Sequence, residues 1–337
     1  MVAAPERRPL THRQTSKTGA QAQWIVPYTS SKTMPHHVWF LCLSILPLIL
    51  FRLPLTSPLS AYFQDDRYSH VAFIPLISAC LVYSRRKAIF LEVQFCLSWG
   101  VPLLLLGMVF FWAIQRTVSY SDQNDYLSYA TLSLVCIWVA AFVLSYGRKA
   151  LRAAAFPLSY LLLMIPMPTI LLDRAVGALQ RGSADVTHAL FQVMGVPADW
   201  LGLGFAIHGS HFEIAKECSG IHSTLILFVT SVLAGHLFLR SIAAKLCFSV
   251  FAVFVGIVKN AVRVVTIACL TVYVDGSFYD SWLHRKGGVV FGAFALAILV
   301  PSLLALRRTD LCFRREQPPS HAKEDATVER RALREPA

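Results

Sequence analysis

The chain has 337 residues, 55% of them hydrophobic and only 15% charged, with a formal net charge of +12. A soluble domain carries about 25% charged residues, so this composition excludes an ordinary soluble fold and points to a membrane protein. The basic residues fall in short clusters between apolar runs, which is a topology signal and not the pattern of a nucleic-acid surface.

In chain order, residues 1–37 form a basic tail carrying Arg7, Arg8, Arg13 and Lys17, expected to be disordered and cytoplasmic. The apolar stretch that follows is too long for a signal-peptide core and lacks an A-x-A site, so it reads as a retained first span. A span takes about 20 apolar residues. The runs at 38–56, 70–84, 95–115, 126–146, 153–171, 221–239, 242–274 and 287–306 therefore predict an all-α, polytopic transmembrane bundle of about eight spans over 38–306. The 70–84 run is short for a span, and the 242–274 run is long enough that it must tilt, bend or project. Residues 307–337 read as a charged cytoplasmic tail.

With eight spans, the N-terminal tail, Arg85–Arg86–Lys87, Arg148–Lys149–Arg152, Arg240 with Lys245, and Arg307–Arg308 all fall on one side. The positive-inside rule makes that side cytoplasmic, with both termini inside a bacterial inner membrane. The opposite loops are acidic or mixed: Asp65–Asp66, Asp122 to Asp125, the long 172–220 segment, and Asp275 to His284. Within 172–220, Asp173 to Met194 predicts an amphipathic helix along the interface. Gly195–Val196–Pro197 ends it, and the alternation from Phe205 to Ile214 predicts a short hairpin leading into Glu217–Cys218–Ser219–Gly220.

Of the eight cysteines, Cys42, Cys80, Cys96, Cys136, Cys247 and Cys269 lie inside apolar runs and Cys312 lies in the basic tail. No CxxC pair exists, so these read as small apolar packing and not as a disulfide framework. Cys218 alone stands in a polar, loop-like run, at the start of the sixth span. A helix N-terminus offers free N–H groups and partial positive charge, a setting that favours the nucleophilic thiolate. Arg263, in Lys259-Asn260-Ala261-Val262-Arg263, is an ionisable residue in the outer half of an apolar helix, and such residues pair or serve a site. Asn260 shares its face by i, i+3 spacing. His284 ends the last outer loop, and an imidazole suits general acid–base work. Topology puts all three on one side of the membrane.

Taken together, Glu217-Cys218-Ser219-Gly220-Ile221, Asn260-x-x-Arg263-Val264 and His284 resemble the exosortase/archaeosortase family of membrane transpeptidases. Tyr68-Ser69-His70, Ile74-Pro75-Leu76, Arg85-Arg86 and Pro166-Met167-Pro168 extend the resemblance over about residues 40 to 306. It implies a membrane cysteine peptidase with Cys218 as nucleophile and Arg263 and His284 as partners. Glu217, Ser219, Gly220 and Asn260 would support them. The implied substrates are membrane-anchored exported proteins ending in a sorting signal: a Pro-Glu-Pro-type motif, a transmembrane helix and a basic tail. The family is associated with exopolysaccharide and surface-protein export; no cofactor is expected. This chain departs from the family pattern at His222, where an Arg is common, and at Val71, where a Gly often follows Tyr-Ser-His.

Two other readings stay open. His208, His211, Cys218 and His222 lie within one short segment, and His208-x-x-His211 has metal-ligand spacing, so a metal-dependent membrane protease is conceivable. Intramembrane Lys259 and Arg263 would also suit a transporter or a non-enzymatic subunit of a polysaccharide export system.

Overall fold

The computed structural model describes residues 35–49, 71–117, 123–280 and 287–315. The helices are α1 (Pro35–Ile49), α2 (Phe73–Ser84), α3 (Arg86–Ile89), α4 (Leu97–Thr117), α5 (Gln123–Ala153), α6 (Ala155–Tyr160), α7 (Thr169–Met194), α8 (Ile221–Phe238), α9 (Ile242–Tyr273) and α10 (Gly288–Arg315). Five of them, α4, α5, α8, α9 and α10, are long and apolar enough to cross a membrane. A sixth crossing arises if α6, its 3-10 continuation Leu161–Met164, and α7 count as one span broken by an 85° bend. The remaining apolar helices, α1 and α2, are shorter, and residues 50–56 of the expected first span lie outside the described residues.

Only helices whose backbone groups are satisfied internally can span lipid singly, and the surfaces of these helices match that solvent. Leu246, Val250 and Phe254 form an exposed i, i+4 stripe on α9, as do Leu296, Val300 and Leu304 on α10. The chain is a multi-pass membrane protein.

Two halves pack side by side in sequence. In the first, α5 is the most enclosed span: Leu134, Phe142 and Tyr146 join Ile74 of α2 and Leu158 and Tyr160 of α6 in one core. A Cβ on Gly107 of α4 would come within 2.8 Å of Ile137, and Ser133 donates to the Gly107 carbonyl at 2.6 Å. The run expected to stop at residue 146 continues to Ala153 because Gly147 takes φ +83° and the helix resumes beyond it. The carbonyl of Gln94 lies 2.7 Å from where a Cβ would be, so only glycine fits there.

In the second half, α8 and α9 form an antiparallel hairpin, with α7 and α10 against α9. A Cβ on Gly256 would fall 2.6 Å from Thr224 Oγ1, a close approach of the kind small residues permit between membrane helices. The loop end of the hairpin is closed by Asp310 of α10, which accepts from the backbone N–H of Arg240 at 2.7 Å and of Ser241. Ser241 in turn caps α9 by accepting from Ala244 N at 3.1 Å.

At the other end, Pro166-Met167-Pro168 makes the bend into α7. Asp125 accepts from Thr169 N at 2.5 Å and Asn124 donates to Met167 O at 2.9 Å, so the start of α5 holds that bend in place. The expected amphipathic helix is present and begins at Thr169. Its buried face reads Val176, Leu179, Gln180, Ser183, Ala184, Thr187 and Phe191. Gly195 ends it in the left-handed conformation at φ +67°.

The expected hairpin is there too, as two strands of a three-stranded antiparallel sheet: β1 (Ala198–Leu201), β2 (Gly204–Ile207) and β3 (Ser210–Glu213). His208 and Gly209 both have positive φ, 50° and 83°, as a two-residue type I′ turn requires. Phe205 and Ile207 turn inward onto Phe191 of α7 and Val265 and Ala268 of α9. That small core fixes the sheet over the C-terminal ends of these two helices.

Candidate active site

From the sheet the chain enters a 3-10 turn, Lys216–Cys218, and then α8. Gly220 joins the two with φ +76°, a left-handed conformation that reverses the backbone direction in one residue. Its missing side chain is also required by packing, since a Cβ would lie 2.9 Å from Asn260 Cγ.

Asn260 is 1% exposed, midway along a membrane helix, so its amide must find partners. It donates to the Cys218 carbonyl at 2.9 Å and to Ser183 Oγ at 3.1 Å. One side chain of α9 thus ties the Cys218 turn to α7. Its neighbour Lys259 is also buried, and its ammonium donates to Ser223 Oγ on the first turn of α8. Ser223 donates onward to the Gly220 carbonyl at 3.0 Å. Residues 259 and 260 therefore hold the Cys218–Ser223 segment at two points. From outside, Lys216 pairs with Asp173 of α7 at 3.5 Å, an exposed contact of little energetic weight.

One turn beyond Asn260 stands Arg263. A cavity of about 80 Å³ opens between β3 and α9, and its lining includes Glu213, Cys218, Asn260 and Arg263 with Phe212 and Val264. Cys218 is half-buried and has no disulfide partner. A nucleophile-capable thiol, a permanently charged guanidinium and an amide are thus presented to one small, partly apolar space. A guanidinium in such a space can bind an anionic oxygen with a fixed fork of donors.

The expected supporting residues fall around this point. Glu217 is the middle residue of the 3-10 turn, and Ser219 is 1% exposed, with its hydroxyl unpartnered among the described residues. His284 lies outside the described residues, as do Tyr68, Ser69 and His70. The chain is described up to the 3-10 turn Gly276–Asp280, where Asp275 accepts from the backbone N–H of Ser277 at 3.0 Å and its hydroxyl at 2.9 Å. Those two bonds, the backbone one first, hold the Asp275 carboxyl below its ordinary range.

The metal reading does not survive the geometry. Among the described residues no three His, Cys, Asp or Glu side chains gather as a metal set, and His208, His211, Cys218 and His222 are all described. The tight I′ turn carries His208 out to the hairpin tip, where its ring meets Tyr273 with centroids 5.5 Å apart, while His222 belongs to the first turn of α8.

Three contributors were not singled out from sequence for the site. Ser183 sits on α7, more than 70 residues upstream of Asn260, and looks there like one small residue of an amphipathic face. Glu213 reads as an ordinary strand residue. The Lys259–Ser223 contact needs the α8–α9 register, which the hairpin loop length hints at and local sequence does not give.

The family model of transmembrane exosortase matches residues 62–301, more than two thirds of the chain. No curated protein and no solved structure matches it. The match spans α2 to α10 and takes in the Cys218 turn, Asn260 and Arg263, and on it the chain belongs to the transmembrane exosortase family.

Proposed function

We propose that the protein is a cysteine-dependent membrane peptidase or transpeptidase that cleaves the C-terminal sorting signal of membrane-anchored exported proteins. The observation that supports this most directly is the single cavity shared by Cys218 and Arg263, beneath the sheet and at one end of the α8–α9 hairpin. In this reading Cys218 Sγ, as thiolate, attacks the scissile carbonyl carbon. Arg263 stabilises the oxyanion that develops, the kind of preorganised contact that contributes most in a water-poor site. His284, placed by the family resemblance and by its position shortly after the outer 3-10 turn, gives a proton to the leaving amine as the C–N bond breaks.

The thioester is then attacked by an acceptor whose proton returns to His284, and the thiolate leaves. Water as acceptor makes the reaction a hydrolysis; an amine makes it a transpeptidation. Asn260 acts through the Cys218 carbonyl and is a positioning residue. The cavity opens on the periplasmic face of an inner membrane, with basic loops and both termini in the cytoplasm, following the charge distribution.

The test is a processing assay in cells. The protein is co-expressed with a tagged reporter ending in a Pro-Glu-Pro motif, a membrane helix and a basic tail. Wild type removes the tail, and Cys218→Ala and Arg263→Lys lose removal by at least about a hundredfold, the scale on which loss of an oxyanion donor acts. Processing that survives Cys218→Ala overturns the mechanism.

A further inference from the structure

A second cavity, of about 610 Å³, shares no residue with the Cys218 site. It lies between α1, α2, α5 and α6. Phe40, Val82, Trp138, Phe142 and Leu158 wall it, and no Asp or Glu lines it. His37, Tyr83, Arg86, Lys87 and Tyr146 gather at its mouth, where α1 begins and α2 ends. From Tyr146 to Trp138 the cavity runs eight residues along α5, a depth of roughly 12 Å. Tyr83 at the mouth is 66% exposed, so the space is open to its surroundings.

Among the described residues, Arg86 and Lys87 at the mouth pair with no carboxylate. Nearby, Lys149 pairs with Glu92 and Arg85 bonds to His236 at 3.1 Å. Arg86, by contrast, stacks over the Tyr83 ring at 4.1 Å and donates to the Tyr83 carbonyl. Lys87 has no carboxylate partner among the described residues. An apolar shaft with two cations at its rim is complementary to an anionic amphiphile.

Charge decides among occupants: the described lining offers Arg86 and Lys87 at the rim and no carboxylate, over an apolar shaft that suits a slim acyl chain. We propose that this cavity takes one acyl chain of an anionic phospholipid from the surrounding bilayer, with its phosphate between Arg86 and Lys87. The phosphate would receive charge-assisted hydrogen bonds there, stronger than those to a neutral acceptor.

The experiment reconstitutes the full chain in vesicles of phosphatidylethanolamine with a minority of phosphatidylglycerol. Either lipid carries a photoactivatable group on the acyl chain, and labelled peptides are read by mass spectrometry. Phosphatidylglycerol labels peptides of α1, α2 and α5 around Phe40, Ala79 and Phe142 at least about fivefold more than phosphatidylethanolamine does, the discrimination that a single basic residue at about one kcal/mol supplies. R86Q/K87Q, both at exposed positions, removes that preference, and Ala79→Phe, which fills the shaft, removes the labelling. Equal labelling by both lipids, or labelling indifferent to these substitutions, overturns the proposal. So does a cross-link from Ser78→Cys to residues 50–70 of the same chain, which would make that segment the occupant.

Discussion

The Asn260 amide and the bare Cα of Gly220 approach so closely that a Cβ at 220 would lie 2.9 Å from Asn260 Cγ. Removing the amide in Asn260→Ala leaves the Cys218 carbonyl and Ser183 hydroxyl without this donor, at a cost of about 1–3 kcal/mol. Gly220→Ala forces a Cβ into the Asn260 side chain and into a φ of +76°, the latter alone about 1–2 kcal/mol. The two changes are therefore coupled. The double variant is expected to lose less stability than the sum of the singles, by about 0.5 kcal/mol or more, because the smaller residue at 260 makes room for the new methyl. Thermal midpoints of the four proteins in detergent measure this cycle, and strict additivity would show that the close contact is absent. Cys218 and Arg263 stand out in the sequence as candidates because polar chemistry is conspicuous against apolar surroundings, and the fold brings both to one cavity. Ser183 does not stand out, because a small hydroxyl on an amphipathic helix looks the same whether it meets water or Asn260.

At the scale of elements, the α8–α9 hairpin is set by how closely its backbones approach. Gly256 faces Thr224 with no room for a Cβ, whereas a Cβ at Gly292 of α10 meets nothing within 4 Å. Gly256→Leu is expected to push α8 outward, cost about 1–3 kcal/mol as overpacking does, and carry the Cys218 turn away from Arg263. Gly292→Ala, on the same kind of apolar helix, gains up to about 1 kcal/mol of helix propensity. Equal melting behaviour of the two variants would remove the close approach from the account. The same contrast explains which elements could be read in advance. Helix positions follow from apolar runs, and the β2–β3 hairpin from alternation around His208-Gly209. The short strand β1 has no alternation to show, since its partner is what makes it a strand. The continuation of α5 past Gly147 depends on residues 94–96 passing beside it, a contact distant in sequence.

For the whole molecule, the question is which end of the bundle faces out. Cys218 begins α8, and Arg263 lies 21 residues into α9, roughly 31 Å along its axis, so the hairpin brings both to the end remote from its loop at residues 239–241. That loop end carries Arg240 and, on α10, Arg307 and Arg308, whereas the opposite end carries Asp173, Asp275 and the sheet. Charge asymmetry of this kind orients a bundle by holding its basic loops in the cytoplasm. The seventh run reads in the sequence as longer than one span needs. In the fold its last turns, from Val265 onward, pack under the sheet with Phe205 and Ile207 and against Ala184 and Phe191 of α7. A membrane-impermeant maleimide separates the two orientations. In a background with every native cysteine replaced, Ser277→Cys in the 3-10 turn Gly276–Asp280 is expected to label in intact spheroplasts, and Ser241→Cys at the hairpin loop only after lysis. The reverse pattern would place the Cys218 cavity on the cytoplasmic face, where a sorting signal is presented before export and not after it, and would rule out processing of proteins already across the membrane.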